Sequence, residues 1–327
     1  MRFFTRFRSA LSQYEEGVHD LGLPATEKAV AEAEEELGRK LPLELRDFLL
    51  QWNGGYLFHD EVALFGVEGA RDELRKLAHT DDGLWIGETA TARLFLDERG
   101  RVLALDDETD GRHAEGSELE RWLDATMARE GVLFDRDGEY REEAFDGEGL
   151  SERALRKRSQ LAIKADPQAP AWHEESAALL VEEGQPDKAM AALERAVAGA
   201  MDGDVALADA WMALGQLRRT AGKGDAAVAF VHAARALGDP GEAAYAWAQA
   251  SRAATGEDEK QAHARQVVEL APEFVAEQRA AARHLVEEGD LDGAVERLEL
   301  ALSIAPDDKA ARELLSHTRA RRALRPT

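Results

Sequence analysis

Nine histidines and 65 carboxylates are the side chains of this 327-residue chain that could hold a metal ion or move a proton, and their spacing argues against both tasks. No two histidines fall at His-x-x-x-His spacing, and there is no His-Glu-x-x-His, which would set two imidazoles on one helix face beside a general base. His59-Asp60-Glu61 is the densest local cluster, and beside an Asn-Gly-Gly turn it reads as a polar loop. Asp135-Arg136-Asp137-Gly138 has part of a calcium loop, but the leading ligand position holds Leu133 and the closing one Ala144, so it fails as an EF-hand. Asp106-Asp107-Glu108-Thr109-Asp110 reads as a solvated acidic loop rather than a cation site. A Gly-Lys-Ser/Thr phosphate loop and a Gly-x-Ser-x-Gly elbow are absent. The lack of cysteine excludes a thiolate nucleophile, thiolate metal sites and disulfides, and fits a reducing cytoplasm. No catalytic residue, cofactor site or metal site is expected.

The elements that must position these loops are legible. Gly38 falls where a helix ending at Leu37 needs a left-handed residue, and Pro42 suits the first turn of the next helix. Leu41, Leu45, Phe48, Leu49 and Trp52 recur at helical spacing, and Asn53-Gly54-Gly55 ends that helix with a turn. Before it, Phe3, Phe4, Phe7 and Leu11 predict an amphipathic first helix, and Thr26 an N-cap for a helix burying Val30, Ala33 and Leu37. Short apolar runs at 56–58, 62–65, 84–86, 93–96 and 101–105 predict an antiparallel meander, with one helix inserted near Glu68 to Ala78. Ser117-Glu118-Leu119-Glu120 predicts a capping box for a closing helix that buries Trp122 and Leu123.

Glu34, Leu37-Gly38, Leu41-Pro42, Phe48-Leu49, Asn53-Gly54-Gly55, Phe65-Gly66 and Trp122-Leu123 together resemble the SUKH superfamily, which includes the yeast Smi/Knr cell-wall regulators. The resemblance spans roughly residues 15–130 and implies a non-catalytic α+β binding domain. Many bacterial members of that superfamily are immunity proteins that neutralise polymorphic toxins, often nucleases, while eukaryotic members act in signalling and scaffolding.

From about Pro170 the chain repeats. Gly222, Gly256 and Gly289 recur at a period near 34, which predicts stacked helical hairpins. Trp211, Leu214, Gly215, Gly222, Ala227, Ala234 and Pro240 resemble a tetratricopeptide unit, and Gly289, Ala294, Ala301 and Pro306 repeat it. The third unit departs, with Thr255 and Lys260 at its Gly and Ala positions. Residues 155–167 read as a lone helix before the repeats, and 310–324 as a polar capping helix rich in arginine. The resemblance implies that the first helix of each hairpin lines a concave, partner-binding face: Met212, Gln216 and Arg219, then Tyr245, Gln249 and Arg252, then Arg279 and Arg283.

The fold class expected is therefore an α+β SUKH-like domain over residues 1–147, followed over 148–327 by an all-α tetratricopeptide-type solenoid. Of the formal charge of −24, the first 150 residues hold 36 acidic and 18 basic side chains, against 29 and 23 in the rest. Such a surface disfavours nucleic acid and anionic membrane and attracts basic proteins. The expected function is a protein-binding adaptor in the cytoplasm, most concretely an immunity protein whose Asp81, Asp82, Asp106, Asp107 and Glu108 cover the basic groove of a nuclease toxin. The alternative is a regulatory scaffold in an envelope or signalling assembly.

Overall fold

The computed structural model describes residues 3–67, 76–109, 111–147 and 149–324, and the chain divides into two compact units, Met1–Ala196 and Val197–Thr327. In the first, α1 (Thr5–Leu11) buries Phe4 and Phe7, whose rings meet Trp52 edge-on. β1 (Asp20–Leu21) leads to α2 (Glu27–Glu36), capped by Thr26, whose Oγ1 accepts the Ala29 N–H at 3.1 Å. Between α2 and α3 (Leu43–Leu49) the chain turns at Gly38, with φ 66°. The buried Glu34 carboxylate clamps that turn, accepting from Lys40 Nζ at 2.6 Å, the Leu41 N–H at 3.2 Å and Arg46 Nη1 at 3.3 Å. The Lys40 hydrogen bond is the main reason its pKa lies below the ordinary glutamate value.

An eight-stranded antiparallel sheet follows, ordered β1-β2-β3-β5-β6-β7-β8, with β4 paired to β5. Its remaining strands are β2 (Gly55–Leu57), β3 (Val62–Leu64), β4 (Ala78–Thr80), β5 (Gly83–Thr89), β6 (Ala92–Leu96), β7 (Val102–Asp106) and β8 (Arg112–Gly116). All five apolar runs became strands. β4 (Ala-His-Thr) and β8 carry no apolar run, and β1 is only two residues long. The expected inserted helix falls on residues 68–75, outside the described residues, and Ala78 lies in β4. Alternate strand residues such as Leu84, Ile86, Leu94, Leu96, Val102 and Ala114 share one core with Trp122 and Leu123 of α4 (Leu119–Glu130).

The expected capping box is corrected by the structure. The residue before α4 is Glu118, which makes no side-chain cap, and the Ser117 N–H and hydroxyl both donate to Asp166 at 2.7 Å. Glu120 Oε1 accepts the Phe4 N–H at 2.6 Å instead of folding back on its own helix. Asp166 is fully buried after α5 (Glu152–Ala165), which packs on α4; α6 (Pro170–Glu182) packs on β8 and α7 (Pro186–Ala196). The first helices of the helical run thus share the compact unit of the sheet.

The second unit contains α8 (Ala208–Thr220), α9 (Ala226–Ala236), α10 (Pro240–Ala253), α11 (Glu257–Leu270), α12 (Phe274–Glu288), α13 (Leu291–Ile304) and α14 (Lys309–Ala323). Gly222 and Gly289 take positive φ at their hairpin turns. Gly215 lets α9 close in, since a Cβ there would stand 2.8 Å from the Phe230 ring. Neighbours from α8 to α11 pack in succession, but the expected regular stacking stops there. The fourth hairpin meets α10 and α11 chiefly through α13, its second helix, with Leu300 and Phe274 against Ala244, Ala248 and Val267. On α11 Val267 is the buried residue, while Val268 and Leu270 stay 55% and 39% exposed. No helix among the described residues is long and apolar enough to cross a membrane.

Candidate protein-binding surfaces

The five acidic residues singled out from sequence lie in two turns of the sheet, and three of them already have work within it. Asp81 and Asp82 form the β4–β5 turn, where Asp82 pairs with Arg112 of β8. Asp106 closes the β7–β8 loop, accepting the Thr109 hydroxyl at 2.8 Å and the Thr109 and Glu108 N–H groups at 2.7 and 3.0 Å. The Thr109 hydroxyl bond leads the causes that lower the Asp106 pKa. Asp107 meets Arg93 of β6 at 2.8 Å. Asp81 and Glu108 are exposed.

A second acidic surface was not foreseen. Strand pairing sets Asp20 opposite Tyr56 and Ala63 opposite Glu88, which places Asp20 and Glu88 with Asp60 and Glu61 around an open cleft of about 750 Å³. These residues are far apart in sequence, so no local signal joins them; only the register of β1, β2, β3 and β5 does. One wall is the β2–β3 turn, where Phe58 and His59 both hold left-handed φ angles of 50° and 64°, costly for non-glycine residues. The segment before β1 anchors that turn: the Phe58 N–H donates to His19 Nδ1 at 3.1 Å and the His59 N–H to the Val18 carbonyl at 2.8 Å. Burial, aided by the charge of His59, pushes the His19 pKa down to about 4. The sequence clusters at 59–61 and 135–138 also meet: His59 Nε2 lies 3.3 Å from the Gly138 carbonyl and the Tyr140 hydroxyl donates to Glu61. Asp135 Oδ1 turns its own loop, accepting the Asp137 and Glu139 N–H groups. No group of three or more potential metal ligands is gathered among the described residues.

The carboxyl with the most altered acidity is Asp124 of α4, in a cavity of about 360 Å³ also lined by Arg6, Gln13, Tyr14 and Lys164. Burial, reinforced by Glu120, raises its pKa to about 6. These lining groups supply no nucleophile–base pair, so the shift reads as a stability effect. The folded state binds the proton more tightly than the unfolded chain, so the stability this group contributes is present below about pH 4 and lost as pH rises through about 6. Asp124→Asn is expected to stabilise the protein above pH 6 by about 1 kcal/mol after allowance for solvent screening, or roughly 3 °C in melting temperature, and to change nothing below pH 4. Paired melts of variant and wild type across pH 3.5–8 check this and isolate Asp124 from His19, whose effect has the opposite sign.

Of the predicted concave-face residues in the second unit, Arg219 and Arg252 come together under cover and Gln249 is buried, while Gln216 and Arg283 stay exposed. Arg219 of α8 and Arg252 of α10 converge on Glu296 of α13 at 3.1 and 3.5 Å, and Arg252 also pairs with Glu299. Tyr245 lies beneath the Arg297 guanidinium, 5.5 Å from its centroid, and Gln249 is 2% exposed. Met212 packs against the cluster of Ala233 and Ala234 of α9 and Ala246 of α10, while Gln216 is exposed and accepts from Arg219. On α12, Arg279 pairs with Asp308 and Arg283 is exposed; neither joins Arg219 and Arg252, because the hairpin presents α13 to α10. Arginines of the expected capping helix also bind within the fold: Arg319 to Glu299, Arg322 to Asp292, Arg321 to the Val286 carbonyl. Arg325 lies outside the described residues.

Comparison with known proteins follows the same division. Residues 24–125 match the SMI1 / KNR4 family (SUKH-1). No curated protein matches the chain. Similar solved structures include YrrB, described as a TPR protein with an unusual peptide-binding site, at 21% identity over 50% of this chain and 81% of that one with a TM-score of 0.33. MamA is similar at 19% identity over 47% and 87%, with a TM-score of 0.31. The C-terminal part of a TPR repeat-containing protein from Cytophaga hutchinsonii is similar at 17% identity over 50% and 66%, with a TM-score of 0.32. By the family match the chain carries an SMI1 / KNR4 family (SUKH-1) domain at residues 24–125, and a run of paired antiparallel helices follows it.

Proposed function

We propose that this protein is a non-catalytic, cytoplasmic adaptor whose acidic front surface takes a basic protein partner, most concretely a polymorphic nuclease toxin that it neutralises. The cleft of Asp20, Asp60, Glu61 and Glu88 carries this reading: it is open, acidic and held by a strained turn, which suits capture of a lysine- or arginine-rich surface. The β4–β5 and β7–β8 turns extend the acidic field, with Asp81 and Glu108 exposed. Partition of the chain into a partner-binding part over 1–147 and a helical part over 148–327 belongs to the same proposal.

Lysine substitution at Asp60, Glu61 and Glu88 together is expected to slow association with a toxin encoded beside this protein more than tenfold at low salt, and to flatten the salt dependence of the rate. Stopped-flow mixing at two ionic strengths reads both. Reversal at Asp81, Asp82, Asp106, Asp107 and Glu108 tests the other acidic surface. Binding unchanged by either set would overturn the assignment. The ion-paired helical surfaces favour a second reading, a regulatory scaffold that joins two proteins, and recovery of several endogenous proteins but no toxin on affinity capture would select it.

A further inference from the structure

We infer that the first compact unit holds a binding site for a small zwitterion, an amino acid or dipeptide, in a polar cavity walled by α4, α5 and α6. This adds a small-molecule site to the protein-binding reading and does not depend on it.

The cavity, of about 340 Å³, lies between the β5–β6 turn, β8 and those helices. Three of its lining side chains carry a buried N–H with no hydrogen-bond partner: Arg129 Nε of α4, Arg158 Nε of α5 and Trp172 Nε1 of α6. Trp172 is 3% exposed and Arg158 8%, so open solvent does not serve them. Their positions are set by contacts of other groups. The Ser159 hydroxyl donates to the Trp172 carbonyl at 3.3 Å, and the Arg129 guanidinium sits over the Trp172 ring, 4.8 Å from its centroid. Donors from three helices are thus held with nothing to accept from them, and the desolvation penalty each carries is relieved by a ligand that does.

Charge selects the occupant. Arg158 Nη2 at 2.8 Å and Arg129 Nε at 3.3 Å, the latter too poorly aligned to be a hydrogen bond, crowd the same oxygen, Oε1 of Glu130. The other carboxylate near Arg129, Glu175, stands off at 3.7 Å. A ligand carboxylate, planar and with two oxygens, matches these guanidiniums and the indole N–H. Two turns back along α4, about 10 Å away, Trp122 Nε1 donates to Glu115 Oε2 at 3.3 Å, the only bond to that carboxylate among the described residues. Glu115 therefore keeps acceptor capacity for an ammonium group. With Glu61, Glu115 and Glu130 on its wall, the cavity repels a phosphate dianion. Val62, Ala92 and Leu133 also line it and suit a small apolar side chain.

The cavity adjoins the acidic cleft, since Glu61, Thr89 and Ala90 line both. Its unmet donors, however, all lie on the helices.

Thermal melts and calorimetric titration of the full chain with each common amino acid, and with dialanine, test the site. At least one is expected to raise the melting temperature in step with the logarithm of its concentration, and its deaminated acid and inorganic phosphate are expected to bind about tenfold more weakly or worse. Trp172→Phe keeps a ring and removes the donor, so it is expected to weaken binding about tenfold while ligand-free melting stays unchanged or rises. A packing role alone would lower that melting temperature. Glu115→Gln still accepts from Trp122, and is expected to weaken the zwitterion but not its deaminated acid. Failure of every probe to bind, which leaves the cavity to water, overturns the inference. So does equal binding of the deaminated acid or phosphate, or undiminished affinity in the folded Trp172→Phe or Glu115→Gln chain.

Discussion

Replacing Gly54 by alanine is expected to unfold the first compact unit at ambient temperature, a loss of about 4 kcal/mol or more. Two costs add at this position. Its φ of 76° is one that an L side chain adopts only at a penalty, and a Cβ would stand 2.5 Å from the Leu64 carbonyl and 2.8 Å from the Gly66 nitrogen, backbone atoms that cannot turn aside. The crowding has a purpose. Asn53 is 3% exposed and its Oδ1 accepts the Val67 N–H at 2.9 Å, and Gly22 and Gly66 leave room for it, each lying where a Cβ would meet the Asn53 carbonyl at 2.8 Å or less. Gly38 is the control. It has nearly the same backbone conformation, φ 66°, but open space around it, so Gly38→Ala should cost only about 1 kcal/mol. Thermal melts of both variants, with amide exchange over the first unit, separate the two contributions; similar losses would show that crowding around Asn53 is unimportant.

Phe230→Ala is expected to cost about 4 kcal/mol in the second unit. The ring is fully buried and fills the space left by Gly215 on the facing helix, so its removal opens a cavity beside a residue with no side chain to collapse into it. Ala226, Ala227, Ala229, Ala233 and Ala234 of the same helix are also buried, and all are too small to spread. Urea denaturation read by amide exchange across α8 to α10 checks the loss. Refilling from the other side by Gly215→Ala in the same chain should recover part of it, whereas Gly215→Ala alone should destabilise, since the new methyl lies 2.8 Å from the intact ring.

The elements easiest to read in sequence were those whose cause is local. Thr26 caps α2, Gly38 turns the chain, and Gly222 and Gly289, two periods of about 34 residues apart, mark hairpin turns, because each depends on backbone geometry within a few residues. Readings failed where a distant partner outbid a local one. Ser117 had a capping position available and gave its hydroxyl to Asp166, 49 residues away. The fourth hairpin had the residues of a regular repeat, yet it meets α10 chiefly through α13, whose Glu296 and Glu299 pair with Arg219 of α8 and Arg252 of α10. The candidate surfaces followed the same rule. The acidic turns were visible as runs of carboxylates, whereas the cleft joining Asp20, Asp60 and Glu88 exists only through strand register.

The bond from Ser117 to Asp166 and the seating of α6 on β8 bear on how this architecture is inherited. Transplanting the sheet alone would strand a serine pair of donors and bare the apolar flank that α5 and α6 shelter, so the compact unit runs on to about Ala196, well past the end of the family match. Relatives that share the sheet but lack these helices should carry a different residue at the Ser117 position, or another chain segment to meet it.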